Sequence, residues 1–470
     1  MMIKLIVALG LNVVLLAVLL PWLRCEWRTA PRPLQRILLP ALGLRLLVGG
    51  LSSRHLINDA LIMSGLGKAL TRLLWADPGS AVRHLLGDTF QLEGWDVVHH
   101  GQSTNLLITS NSFFFSKLLM FLNLASGSTD WLNGLYLSLF AFVGSWLLAR
   151  TLARLFPTIP AGAGAIALLL WPSVVGFASG ITKEALLLGS ATWLVALVLQ
   201  KLYAEPAGSV SQPTPRWRGL AGWLGIVLLA VLHVKSRYFF AFPLLGVLAG
   251  LAFIRVLQKL GLARRRWVQV ALLLGVLAVG GWLGTQLSPV LTLNRFTAEL
   301  MKIYSRHLEY SAGKPHFEYP DLRPTGESAL RHVPIAIWNT LSRPWLGESW
   351  APAYIIGALE NLALLSLLAL AGWAALRRRA GHLPFALVLA LALHCLLLAV
   401  LIGLSTPNLG SLHRYRSGLM PFLVLLLLQN DYVATLLRRA GLGNVLQPAF
   451  DASQPAAAEP AAKAAVPLSN

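Results

Sequence analysis

Long apolar runs recur along this chain and limit what it can fold into. Of its 470 residues, 56% are hydrophobic and only 12% are charged. A helix needs about 20 mostly apolar residues to cross a bilayer. Runs of that kind lie near 3–23, 33–52, 132–149, 161–178, 184–200, 219–234, 238–257, 267–286, 352–376, 384–404 and 418–437. The pattern predicts an all-α fold, a polytopic membrane helix bundle of about eleven spans.

The chain is also strongly basic, with a formal net charge of +20. A basic balance is typical of nucleic-acid-binding proteins. Here, however, the Lys and Arg residues form short clusters between the apolar runs, as the positive-inside rule produces in membrane proteins. The pattern argues against a nucleic-acid partner and for contact with membrane lipids.

Alternate connections between the predicted spans differ in charge. One set carries most of the cations near helix ends, for example at 264–266 and 377–379. Cytoplasmic connections are enriched in Lys and Arg, so we expect an outer N-terminus and a cytoplasmic C-terminus. The first run has no cleavage site of small residues and is predicted to remain as an anchor. Cys25 and Cys395 are too few for a disulfide framework or a zinc site.

Two connections are much longer than the others, 53–131 and 288–350, and this topology puts both outside. Their half-apolar stretches 113–124 and 291–310 predict short helices that lie on the membrane surface. The bundle, with these two outer loops, is predicted to occupy 1–446. The remaining residues, 447–470, are rich in Ala, Pro and Ser, which predicts a disordered cytoplasmic tail.

The first outer loop is acidic and holds three candidate catalytic residues, Asp59, Asp88 and Asp96. A carboxylate beside the bilayer surface can take a proton from a sugar hydroxyl. It can also bind a divalent cation that neutralises a phosphate, although no metal site is predicted. The alternative is that loop aspartates are solvated or cap short helices, which we favour for Asp77 and Asp130.

A second motif runs from Trp171-Pro172 to Lys183-Glu184. Pro172 and Gly180 predict a tight outer hairpin, and Thr182 suits the N-cap of the next helix. Lys183 is harder to explain by capping, because an ammonium at a helix N-terminus faces the unfavourable end of the helix dipole. An anion such as phosphate at the same place would offset that cost.

Further cations stand between spans on the predicted outer side, where the charge rule disfavours them. These are Lys235, Arg237, Arg414 and Arg416. They can snorkel to lipid phosphates, or they can clamp a lipid-linked phosphate, for which guanidinium geometry is well suited. Arg45 and Glu360 lie inside predicted spans and are functional candidates by position, or they satisfy each other within the bundle.

Together these motifs resemble those of the GT-C superfamily of integral-membrane glycosyltransferases, including its mannosyltransferase-like and aminoarabinose-transferase-like bacterial members. The matching features are the acidic first loop, the long late loop, the hairpin 172–184, Arg237-Tyr238, and Arg414-Tyr415-Arg416 with Pro421. One departure is that two spans precede the acidic loop, where the family usually has one. Another is that Asn58-Asp59 stands in place of paired acids.

The resemblance implies a transferase at the outer face of the bacterial inner membrane. It would move a sugar from a polyprenyl-phosphate carrier to a glycan or lipid acceptor. Asp59 or Asp88 would inherit the role of the base, and no other cofactor is implied. The cations would hold the carrier phosphate together with Glu184.

Two other interpretations stay open. One is a related class, the O-antigen-type polymerases and ligases, which also have outer arginines and many spans. The other is a transporter, a flippase or a non-catalytic membrane subunit of an envelope-polysaccharide machine. A transporter places polar residues near the bilayer midplane on broken helices, and the sequence contains no internal repeat. The oligomeric state is not predicted.

Overall fold

The computed structural model describes residues 2–56, 58–87, 89–90, 108–109, 111–204 and 216–443. These residues are helical almost throughout. The helices are α1 (Met2–Thr29), α2 (Arg32–Ser52), α3 (Asn58–Ala76), α4 (Pro78–Leu86), α5 (Asn111–Ser126), α6 (Asp130–Leu155), α7 (Ala161–Ala165), α8 (Pro172–Phe177), α9 (Lys183–Tyr203), α10 (Arg216–Ser236), α11 (Tyr238–Lys259), α12 (Arg266–Leu287), α13 (Leu293–Glu309), α14 (Gly326–Ser342), α15 (Pro352–Leu376), α16 (Phe385–Ser405), α17 (Leu409–Arg416), α18 (Met420–Leu428) and α19 (Asp431–Arg439).

Four short elements of secondary structure accompany these helices. A π-helical turn, Ile166–Leu170, follows α7, and a 3-10 turn, Pro289–Leu291, precedes α13. Strands β1 (Thr89–Phe90) and β2 (Ile108–Thr109) pair antiparallel. The predicted tail, 447–470, lies outside the described residues.

The helices are those of a multi-pass membrane protein. In the described part of the chain, nine are long and apolar enough to cross a bilayer, and α18 with α19 would make a tenth as one span bent by 86°. The hydropathic window of α1 has no buried residue at all. A surface so apolar is compatible with lipid but not with water. The all-helical membrane character predicted from the sequence is confirmed, whereas the predicted count of about eleven is not reproduced by these helices.

The difference lies mainly in the run 161–178, which is broken rather than one continuous helix. Pro172 has no N–H to continue the helix, and Trp171 before it is extended, with φ −61° and ψ 126°. The helices on either side, α6 and α9, run parallel, because Gly144 packs on Gly189 and Gln200 donates a hydrogen bond to Thr151 at 2.9 Å. The broken segment between them therefore returns the chain to the end of the bundle where α6 begins.

The two long loops are more helical than their apolar pattern predicts. The predicted stretches 113–124 and 291–310 lie mostly within α5 and α13, so their helical structure is confirmed. Sequence analysis missed α3 and α14. Helix α14 runs antiparallel to α16, where the Thr340 hydroxyl donates to the Ala399 carbonyl at 2.9 Å and a side chain at Gly403 would overlap the Ala336 carbonyl. Helix α14 is thus a packed element of the bundle.

Backbone contacts join α2, α6 and the turn before α9. Gly180 has φ +85°, which L side chains rarely adopt. A Cβ on Gly49 would overlap the Ser138 hydroxyl. The Gly180 N–H donates to Ser138 Oγ at 2.8 Å, and the Ile181 N–H donates to Ser53 Oγ at 3.1 Å. This glycine junction fixes the start of α9 against the ends of two other helices.

Candidate functional site

Charged residues from separate parts of the chain meet in one cavity at the end of the bundle where α9 begins. The cavity has a volume of about 270 Å³. Its charged lining residues are Asp59 of α3, Lys183 and Glu184 of α9, Arg237 before α11, and Arg414 of α17. We call this space the Asp59 cavity. The convergence of these predicted site residues is the central geometric result.

Glu184 lies between two guanidinium groups. Its Oε1 is 3.3 Å from Arg237 Nη2 and 3.6 Å from Arg414 Nε, and its side chain is only 7% exposed. Within the described part of the chain, Oε1 makes no hydrogen bond of good geometry. The carboxylate therefore balances the two arginines electrostatically without occupying their N–H donors.

The ring of Tyr415 holds the same two arginines from the other side. The Arg237 guanidinium lies 4.2 Å from the ring centroid, and that of Arg414 lies 5.0 Å from it. Arg414 Nη2 also donates to the Tyr415 hydroxyl at 3.2 Å. Cation–π contacts of this kind orient a guanidinium while leaving its edge free for an anion.

Lys183 begins α9 and reaches across to α5. Its Nζ donates to Ser112 Oγ at 2.7 Å, so it links the cavity to a helix within the first long loop, 53–131. The predicted N-cap is confirmed, because Thr182 Oγ1 accepts from the Ala185 N–H at 3.1 Å. The role of Ser112 was not visible in the sequence, since a single Ser carries no motif.

Asp59 stands in the first turn of α3 and is exposed. No hydrogen bond to its carboxylate occurs among the residues that the structure describes. It is also close enough to His307 to influence that imidazole: burial lowers the pKa of His307, Arg414 and Arg237 lower it further, and Asp59 opposes them. Asp59 is thus an accessible carboxylate at the edge of a cationic cluster. Asp88 and Asp96 lie outside the described residues.

A second, apolar cavity of about 320 Å³ adjoins the first, and Arg237 lines both. Phe240, Phe296 and Leu300 are among its apolar walls, while His307 is one of its few polar lining residues. His307 was missed from the sequence, because it lies in a long loop far from the other motifs. Arg237 thus stands at a boundary between charged and apolar space.

Two predicted site residues lie outside the Asp59 cavity. Lys235 is exposed in the last turn of α10. Arg416 is fully buried, and its Nη1 donates to the carbonyl oxygens of Thr340 at 3.2 Å and Arg343 at 3.0 Å. These carbonyls end α14, so in this arrangement Arg416 caps that helix.

The suggestion that Arg45 and Glu360 satisfy each other is wrong, because each contacts the broken segment instead. Arg45 donates to the carbonyls of Ala178 at 3.3 Å and Leu168 at 3.5 Å. Glu360 accepts from the N–H and the hydroxyl of Ser173 at 2.9 and 2.6 Å. A break inside a bundle frees backbone groups that must find partners, and these two side chains supply them.

Of the two loop aspartates predicted to be solvated or to cap helices, Asp77 caps a helix as predicted, whereas Asp130 forms a salt bridge instead. Asp77 caps α4, accepting from the Ser80 N–H at 3.1 Å. Asp130 accepts from Lys68 Nζ at 2.6 Å and from the Ser64 hydroxyl at 2.5 Å. Among the described residues, no group of three or more His, Cys, Asp or Glu side chains could hold a metal ion.

Comparison with protein-family models, with curated proteins and with solved structures finds no match for this chain.

Proposed function

We propose that this protein is a membrane glycosyltransferase that moves a sugar from a polyprenyl-phosphate carrier to a glycan or lipid acceptor. The observation that carries the proposal is the meeting of Asp59, Lys183, Glu184, Arg237 and Arg414 in one cavity. Three cations face two carboxylates there, which leaves an excess of positive charge for an anionic ligand. A phosphate is the ligand that suits this excess.

In the proposed reaction, Asp59 takes the proton from the acceptor hydroxyl. The hydroxyl oxygen then bonds to the anomeric carbon while the bond between that carbon and the phosphate oxygen breaks. The phosphate leaves with the electron pair, and Lys183, Arg237 and Arg414 stabilise its charge. Glu184 and Tyr415 keep the arginines in place.

The adjoining apolar cavity supports a lipid-linked donor. With the phosphate against Arg237, the hydrocarbon chain of the carrier would enter the space lined by Phe240, Phe296 and Leu300. The charge rule supports an outer position for this end of the bundle, since the opposite helix ends carry most of the Lys and Arg residues. The membrane would be the bacterial inner membrane.

The decisive experiment is transfer of a radiolabelled sugar from a polyprenyl-phosphate donor by the purified protein in lipid vesicles. Asp59→Asn should lower the rate by about 10²-fold or more, the loss typical of a missing general base. Its thermal unfolding should not change, because the side chain is exposed and unpaired in the described structure. Asp77→Asn is the matched control: it removes a loop carboxylate but keeps a side chain that can cap α4, so it should leave both the stability and the rate nearly unchanged.

Full activity of Asp59→Asn would remove Asp59 as the base and leave Asp88 and Asp96 to be tested in the same assay. Absence of transfer with every donor, by a correctly folded protein, would contradict the proposed function.

A second candidate function, a transporter or flippase, is favoured by one observation. The run 161–178 is broken inside the bundle, and the intramembrane residues Arg45 and Glu360 contact its free backbone groups. Broken helices of this kind hold substrates in transporters. Movement of a fluorescent polyprenyl-phosphate analogue between vesicle leaflets, without any transfer of sugar, would decide for this function.

A further inference from the structure

Helix α17 lines a second site besides the Asp59 cavity: Arg414 faces the Asp59 cavity, and His413 faces a larger one. Its volume is about 410 Å³, within the usual range of small-molecule sites. It lies between α8, α15 and α17, and its polar lining includes Ser173, Tyr354, Glu360 and His413. We call it the Glu360 cavity.

Two of these side chains face each other across a short gap. His413 Nε2 is 3.8 Å from Glu360 Oε2, which is too long for a hydrogen bond. Both side chains are nearly buried, 12% and 3% exposed respectively. Gly357 makes room for the imidazole, because a Cβ there would overlap its ring. The pair is thus fixed at the cavity wall without being bonded to each other.

The hydrogen-bonding role of each partner follows from its other contacts. Arg416 Nη2 lies 3.4 Å from His413 Nδ1, and a guanidinium can only donate, so Nδ1 accepts and Nε2 carries the hydrogen. Burial lowers the pKa of His413 to about 3, with Arg416 adding to the effect. Glu360 accepts hydrogen bonds from Trp171 Nε1 and from Ser173. One wall group therefore donates and the other accepts.

This combination selects one class of ligand group. Glu360 would repel a phosphate or a carboxylate. An ammonium group can only donate hydrogen bonds, so it could not accept one from the Nε2–H of His413. A hydroxyl accepts and donates at once, so it satisfies both partners. Phe177 and Tyr354 add aromatic surface beside the pair, against which the C–H face of a sugar ring can pack.

We propose that the Glu360 cavity binds a neutral sugar unit through a hydroxyl held between His413 and Glu360. Describing that sugar as part of the acceptor rests on the proposed function, whereas its binding does not. The reactive hydroxyl of the same acceptor would then extend past α17 to Asp59, since α17 carries His413 and Arg414 side by side into the two cavities.

Photolabelling of the full chain in lipid nanodiscs tests this site. The probe is octyl β-glucoside with a diazirine on the third carbon of its alkyl chain, and labelled peptides are identified by mass spectrometry. We expect label on peptides containing Phe177 or Tyr354. Unlabelled octyl glucoside should displace it at concentrations at least about tenfold below those of octanol, because octanol can place only one hydroxyl and no ring in the cavity. Equal displacement by octanol would overturn the proposal in favour of a merely apolar crevice.

Free glucose, as a further competitor, separates the two possible sources of the sugar. Displacement by glucose indicates a soluble saccharide, and displacement by octyl glucoside alone indicates a glycolipid. Both results support the site.

Variants test the hydrogen-bond donor, His413, and the hydrogen-bond acceptor, Glu360, separately. His413→Phe keeps a ring beside Phe177 but has no N–H, and labelling should fall about three- to tenfold. His413→Gln restores an N–H donor and should recover most of the label. Glu360→Gln should also lower labelling. It takes the place of His413→Phe as the test of the site if that variant elutes as misfolded protein. His382→Phe, an exposed histidine on another part of the bundle, is the matched control. Unchanged labelling in both His413→Phe and Glu360→Gln would refute the proposal.

The same assay separates this inference from the proposed function. Asp59→Asn should retain full labelling even where it abolishes transfer. Labelling of the parent protein without sugar transfer would contradict the proposed function alone, and sugar transfer by the parent protein without labelling would contradict this site alone.

Discussion

Two buried glutamates at opposite ends of the bundle have different relations to their arginines. Glu26, near the end of α1, accepts hydrogen bonds from Arg150 Nη1 and, at 2.9 Å, from Trp146 Nε1. Glu184, at the start of α9, has Arg237 and Arg414 beside it but no hydrogen bond of good geometry to its Oε1. A saturated pair stabilises the fold. An unsaturated pair leaves guanidinium donors available, so burial of charge alone does not identify a site.

Replacing each glutamate by glutamine should show this difference in stability and in activity, and these two substitutions should have the largest effects. Glu26→Gln leaves Arg150 without its counter-charge and should lower the free energy of unfolding by about 3 kcal/mol, with transfer activity retained in the folded fraction. Glu184→Gln should reduce transfer about 100-fold, because the two arginines lose their fixed positions, with a smaller loss of stability. Sugar transfer and thermal unfolding in detergent measure both. The comparison breaks if Glu26→Gln is the less active variant.

Arg414 and Arg416, two positions apart on α17, give a second contrast. Arg414→Gln should raise the KM for the donor about tenfold, since one charge-assisted hydrogen bond to phosphate is lost. Arg416→Gln should instead cost about 2 kcal/mol of stability, because the carbonyls of Thr340 and Arg343 lose their donor. Donor titrations and unfolding curves of the two variants check this. A larger KM effect for Arg416→Gln would place Arg416 in the site after all.

Tyr415 tests whether the arginines need a ring to hold them. Tyr415→Leu removes the face that Arg237 and Arg414 share and should raise the donor KM about fivefold, equivalent to ~1 kcal/mol of cation–π energy. Tyr415→Phe keeps the ring and should stay within about twofold of the parent protein. Equal defects in both variants would assign the effect to the hydroxyl instead.

The smallest expected effect is on the pH dependence of stability. Burial, with Arg414 and Arg237, lowers the pKa of His307 below its ordinary value of 6.5. As the pH falls below about 6.5, the unfolded chain therefore takes up a proton that the folded chain does not, and stability decreases. His307→Gln should make the melting temperature less sensitive between pH 7.5 and 5.5. An unchanged or steeper dependence would contradict the assignment.

Much of the membrane character could be read from the sequence, because spans are set by local hydropathy. The turn at Pro172 and Gly180 and the cap at Thr182 were also predictable, since each depends on the chemistry of a single residue. Helices α3 and α14 were not, because they pack on other helices within long loops and carry mixed residues.

The sequence indicated several residues of the site but not the contacts that they make. Asp59, Lys183 and Arg414 were identified by type and side of the membrane, and they do line one cavity. For Arg45 and Glu360, one of the two alternatives was that they pair. Each contacts the broken segment instead, whose free backbone groups exist only once the helix is interrupted. His307 carried no local signal, since only the tertiary fold brings α13 beside Arg237.

The glycine junction between α2, α6 and the turn before α9 indicates where mutations should do the most damage. Gly49 and Gly180 touch no substrate, yet one added methyl group at either would separate main chains that now lie in contact. Such a mutation would shift the start of α9 and displace the ammonium of Lys183, with an effect like that of removing the lysine side chain. In a random mutational screen, the alleles with the severest loss should therefore include alanine changes at these two glycines, which inspection of the charged side chains would not select.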